Sequence, residues 1–80
     1  MSNRTTSEST RKLNLSIIGE NIRKHREAQG CTQREMSVEF GAHESYFRGI
    51  ENGQKELSLH RLIEIADMLG VPAGDLLENV

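Results

Sequence analysis

A single cysteine, Cys31, occurs in the 80 residues, so the chain can build neither an internal disulfide framework nor a zinc site of several cysteines. No apolar run exceeds three residues, which excludes a membrane-spanning helix. No apolar segment follows the N-terminus, so no signal peptide is expected and the expected location is the cytoplasm. The Asn-x-Ser/Thr triplets at Asn3 and Asn14 therefore have no meaning as glycosylation sites. Nucleophile–base constellations, phosphate loops and paired catalytic carboxylates are missing, so no enzyme is expected and no cofactor is implied. His25, His43 and His60 lack ligand spacing, and no metal is implied either.

An excess of charge is also lacking, since the net charge is only −2. Its distribution is uneven. Residues 1–34 hold seven basic groups against three acidic ones, a balance of +4, whereas residues 35–80 hold three against nine, a balance of −6. That asymmetry permits a basic face on an acidic molecule. The length implies one domain, and a chain this short buries only about 60% of its unfolded surface.

Residues 1–12 are almost entirely Ser, Thr, Asn, Arg and Glu, and 1–15 are expected to form a flexible polar arm ahead of a folded domain at 16–80. Ile18, Ile22 and the stem of Arg26 recur every four residues, which predicts an amphipathic helix over 16–29 stopped by Gly30. Thr32 followed three residues later by Glu35 is a capping box. It opens a short helix that turns Met36 and Phe40 inward and ends at Gly41. A third helix over 44–51 buries Phe47 and Ile50, and Asn52-Gly53 marks a turn. Ser58 caps a fourth with the apolar stripe Leu59, Leu62, Ile65, Ala66 and Leu69, closed by Gly70; residues 72–77 leave room for a fifth. Leu13, Leu15 and Ile17 alternate as a strand would, but one strand has nothing to pair with.

A capped helix, a glycine turn and a second helix over 32–53 is the spacing of a DNA-binding helix-turn-helix. The folded part resembles the Xre/Cro/phage-repressor family of bacterial and phage regulators. The matching residues are Ile18 to Arg23, Arg26 and Gly30, then Thr32 to Met36, Gly41, Ser45 to Phe47, and Ile50 to Gly53. Leu62, Ile65-Ala66, Leu69 to Val71 and Leu76-Leu77 complete them. The Ser-Tyr-Phe run at 45–47 is also similar to the controller proteins of restriction–modification systems. The resemblance implies an all-α, compact, five-helix, lambda-repressor-like domain. This chain departs from the pattern at His43, where a Ser or Thr usually caps the recognition helix, at Ser37, commonly Ala, and at Pro72-Ala73-Gly74.

The resemblance also implies roles. His43, Glu44, Ser45, Arg48 and Gly49 occupy the positions that meet base edges in related complexes; an arginine such as Arg48 can grip guanine O6 and N7. The plainer reading of Glu44 and Arg48 is a surface pair one helical turn apart. Gln33, Asn52, Lys55 and Arg34 are expected on phosphates, against the plainer reading of a solvated helix start and an Asn-Gly turn. Tyr46 either touches phosphate or packs half-buried. Arg26 and Glu51 match a structural ion pair between the first and third helices. Cys31 stands where a larger apolar residue is usual, so it reads as a core thiol.

The expected function is a sequence-specific transcriptional regulator, repressor or controller in type, with no further ligand-sensing domain. It is expected to bind double-stranded DNA as a homodimer on a pseudo-palindromic operator, with Leu76, Leu77 and Val80 anchoring the interface. Arg4, Arg11 and Lys12 of the arm are expected near a groove or the DNA backbone. The alternative is a protein-interaction module, an antitoxin or antirepressor on the same fold. Heparin or bulk-DNA retention against salt discriminates the two.

Overall fold

Thr32 and Glu35 form the box their spacing predicts: the Thr32 hydroxyl accepts the Glu35 N–H at 3.0 Å, and Glu35 Oε1 accepts the Thr32 N–H at 2.9 Å. In the computed structural model, which describes residues 4–80, this box opens the second of four α-helices. They are α1 (Arg4–Ala28), α2 (Gln33–Phe40), α3 (Glu44–Glu51) and α4 (Leu59–Leu69), followed by a 3-10 helix at Ala73–Leu77. Gly41 ends α2 at φ 78°, a left-handed conformation that costs a Cβ-bearing residue more than glycine. Ser58 caps α4 by accepting the Arg61 N–H at 3.2 Å, and Gly70 closes it.

Three expectations are corrected. Helix α1 starts at Arg4 and not at residue 16, because no glycine or proline interrupts residues 4–18. Leu13, Leu15 and Ile17 accordingly lie on a helix, and no strand occurs among the described residues. Leu13 is 60% exposed, whereas Leu15 and Ile17 are partly buried. A 25-residue helix is about 37 Å long, which accounts for most of the 44 Å long axis. Second, the fifth helix is a five-residue 3-10 turn containing Gly74, too short and too poor in helix formers for an α-helix. Third, Leu59 belongs to the first turn of α4 and is 69% exposed, outside the core stripe.

The core is built where the helices converge. Phe47 of α3, Ile22 of α1, Met36 of α2, Ile65 of α4 and Leu76 of the terminal turn are fully buried. The rings of Phe40 and Phe47 meet edge to face at 6.0 Å, and the Arg61 guanidinium lies 4.0 Å over Phe40. Such aromatic pairs contribute about 0.5–1.5 kcal/mol beyond area burial. Asn21, buried on α1, donates to Leu76 O at 3.0 Å and Glu78 O at 2.9 Å, fastening the C-terminal turn to α1. Leu76 is thus a core residue and no dimer anchor, which corrects that expectation. Leu77 and Val80 stay exposed at 40% and 50%. Gly19 lets α1 meet the end of α3 backbone to backbone: a Cβ there would lie 2.4 Å from the carbonyl oxygens of Ile50 and Glu51.

Candidate nucleic-acid interface

The turn Gly41-Ala42-His43 joins α2 to α3, and the N–H of Ala42 donates to Ser37 O at 3.0 Å. What fixes α3 relative to α2 is a buried polar node. Arg26 of α1 donates through Nε to Glu51 Oε2 at 2.6 Å and through a terminal nitrogen to Glu51 Oε1 at 3.0 Å. Its other terminal nitrogen reaches Cys31 O at 2.7 Å. Gln33, the first residue of α2, donates to the same Glu51 Oε1 at 2.9 Å. The Glu51 side chain is fully buried and that of Arg26 is 9% exposed. The hydrogen bond to Glu51 holds the Arg26 guanidinium above its ordinary range, against the opposing effect of burial. One guanidinium–carboxylate pair therefore ties α1, α2 and α3 together, and no buried side-chain polar atom among the described residues is left without a partner.

On the outer face of α3, His43, Ser45 and Arg48 are exposed, and Glu44 is partly so. Arg48 reaches Glu44 at 3.4 Å, with both side chains about half exposed. His43 is the N-cap of α3, but its ring makes no capping hydrogen bond. Tyr46 packs half-buried against the core. Gly49 differs from the expected open position. It is buried, and the aliphatic stem of Lys55 lies over it. Lys55 arrives there because the chain folds back tightly after α3: Asn52 N–H donates to Arg48 O at 3.0 Å and Gln54 N–H to Gly49 O at 2.8 Å.

Around α3, Arg34, Asn52 and Lys55 are exposed, and Gln33 is half-buried. Gln33 commits one amide proton to Glu51, and its second has no partner among the described residues. The capping box holds the Glu35 carboxyl below its ordinary value of 4.5, chiefly through the backbone hydrogen bond from Thr32. Cys31 is a half-buried free thiol packed against the core. Arg11 and Lys12 are exposed, while the side chain of Arg4 lies outside the described residues. Sequence reasoning missed the Gln33–Glu51 bond, the Asn21 clasp and the seating of Lys55 on Gly49. For the last, a glycine inside a predicted helix was the available signal.

Among the described residues, no group of three or more His, Cys, Asp or Glu is placed to hold a metal ion, and no helix is long and apolar enough to cross a membrane. The helix-turn-helix family model HTH_3 matches residues 22–76. An HTH-type transcriptional regulator of Sinorhizobium fredii, y4dJ, is 30% identical over 60 residues, covering 75% of this chain and 78% of that protein. The restriction-modification controller protein C.AhdI from Aeromonas hydrophila has a similar structure, with 30% identity and a TM-score of 0.75 over 80% of this chain and 97% of that one. The clp gene regulator ClgR from C. glutamicum is 29% identical, with a TM-score of 0.74 over 78% of this chain and 80% of its own.

Proposed function

The chain belongs to the Xre/Cro helix-turn-helix family of transcription regulators, and from that premise we propose that it is a sequence-specific DNA-binding regulator acting as a homodimer on a pseudo-palindromic operator. The observation that carries this reading is the two-sided build of α3. Its inner side is locked by Phe47, Ile50 and Glu51, and its outer side presents His43, Glu44, Ser45 and Arg48. A helix held this way enters the major groove as a rigid reading head. Arg48 reads guanine, and Glu44 orients it and accepts from cytosine. The free amide proton of Gln33, together with Arg34, Asn52, Lys55 and the Tyr46 hydroxyl, meets phosphates and fixes the register. C.AhdI is a restriction-modification controller protein, ClgR a clp gene regulator, and the structurally similar part of BldD a DNA-binding domain, and all three support this reading.

A homodimer is proposed because one α3 reads too few bases for useful specificity, and two copies place their reading helices about one DNA turn, ~34–36 Å, apart. Exposed Leu77 and Val80 supply its apolar surface. Sites selected from random duplexes should show an inverted repeat, and sedimentation should show two chains per site. A monomer both free and on a selected site overturns the dimer; affinity that ignores both sequence and salt overturns DNA recognition.

A further inference from the structure

We propose that Gly49 is a positioning residue: its missing side chain forms a seat in α3 for the stem of Lys55, and that seat aims the Lys55 ammonium at a DNA phosphate. This rests on the proposed DNA binding and adds to it how one contact is held in place. The geometry is specific. A Cβ built on Gly49 would lie 2.8 Å from Lys55 Cγ, 3.3 Å from Cε and 3.6 Å from Cδ, so the lysine stem lies along the helix over that one position. Gly49 is buried although it is on the same helix as exposed Arg48, and Lys55 is what covers it.

Two further observations support a built seat. The loop that brings Lys55 back is fixed by backbone bonds, with Gly53 N–H on Ile50 O at 3.1 Å and Gln54 N–H on Gly49 O at 2.8 Å. Glycine inside an eight-residue helix is also unfavourable relative to alanine, so helix stability does not account for a glycine at this position. A long lysine stem on apolar surface with its head in water is commonly no more than cover for that surface. Here the seat lies on the reading helix, and Lys55 is at the loop expected to meet the backbone. Held in place, the ammonium loses less side-chain freedom when it meets phosphate.

The tightest clash is with Lys55 Cγ and not with backbone, so Gly49→Ala requires the exposed Lys55 side chain to swing off the helix about its first torsion, and the melting temperature checks that the fold is kept. Binding of the parent, Gly49→Ala, Lys55→Gln and the double variant to a mixed-sequence duplex is measured across a salt series, with melting temperatures alongside. Loss of one phosphate contact reduces the slope of log K against log salt by about 0.9, so the affinity ratio between 50 and 200 mM salt falls about 3.5-fold. Both single variants are expected to show this reduction, the double variant no more than either, and Gly49→Ala to melt no lower than the parent. If Lys55→Gln keeps the parental slope, the phosphate contact itself is wrong. If Lys55→Gln loses slope but Gly49→Ala does not, the contact stands and the seat is overturned. Affinity losses that add in the double variant also overturn the seat, because Gly49 would then act on DNA by itself.

Discussion

Helix α3 carries two glutamates, each paired with an arginine, and the two pairs have opposite surroundings. Glu51 is fully buried and receives Arg26 through two hydrogen bonds, the shorter 2.6 Å, plus a third bond from Gln33. Glu44 is 43% exposed and meets Arg48 through a single contact at 3.4 Å, one turn along the same helix. The chemistry is the same, but solvent decides its consequence. A buried pair cannot lose one member without stranding the other in a medium that solvates it poorly, so the inner pair fixes geometry. An exposed pair contributes only about 0.3–0.5 kcal/mol and exchanges readily with water. Its arginine can leave the glutamate for another acceptor, which a DNA-reading residue must do.

Breaking the inner pair gives the largest expected effect. Arg26→Ala or Glu51→Ala should cost about 3–5 kcal/mol of stability, a large part of what so small a domain possesses. Thermal melting should drop by more than about 10 °C, whereas Arg48→Ala and Glu44→Ala should melt close to the parent. An Arg26→Ala variant that melts like the parent but fails to bind would make Arg26 a DNA contact and remove the contrast.

Gln33 lies on the border between the two regions. Its amide serves the buried carboxylate, and in the proposed complex its second proton meets a phosphate. Gln33→Ala is therefore expected to cost about 1–2 kcal/mol of stability and also to reduce the salt dependence of DNA binding. Stability loss alone would assign Gln33 wholly to the inner node; binding loss alone would assign it to the interface.

How far the sequence revealed this division depends on whether the signal is local. The bounds of α2 and α3 were legible because Thr32, Glu35 and Gly41 act through neighbours a few residues away. The pairing of Arg26 with Glu51, 25 residues apart, was legible only through family resemblance, and the bond from Gln33 to the same carboxylate was not anticipated. Such bonds depend on how helices pack, which spacing does not encode. The early start of α1 was missed because a polar segment without glycine or proline satisfies the requirements of both a helix and an arm. Leu76 was misplaced because an apolar residue near a terminus reads the same whether it meets a partner or, as here, is covered by the protein's own core.

A smaller effect concerns acid. Glu35 has its pKa lowered on folding, so its contribution is fully present above its unfolded value and is lost as pH falls through the lower, folded value. The difference in melting temperature between the parent and Glu35→Gln should therefore exist at neutral pH and shrink below about pH 4.5. A difference that persists unchanged in acid would assign it to shape and not to charge. Smallest in stability is Glu44→Ala. In the proposed complex it removes a repulsion from phosphate, so binding to scrambled duplexes should strengthen and the ratio of specific to non-specific affinity should narrow. An unchanged ratio would reduce the outer pair to a solvated helix face.

The most direct test of the division is the affinity of Arg48→Ala for a selected site and for its scrambled counterpart at one salt concentration. A reading residue predicts a loss of about 1–3 kcal/mol on the selected site, with scrambled DNA bound nearly as before. Equal losses on both duplexes would make Arg48 a phosphate contact, and no loss on either would mean that the outer face of α3 does not read DNA.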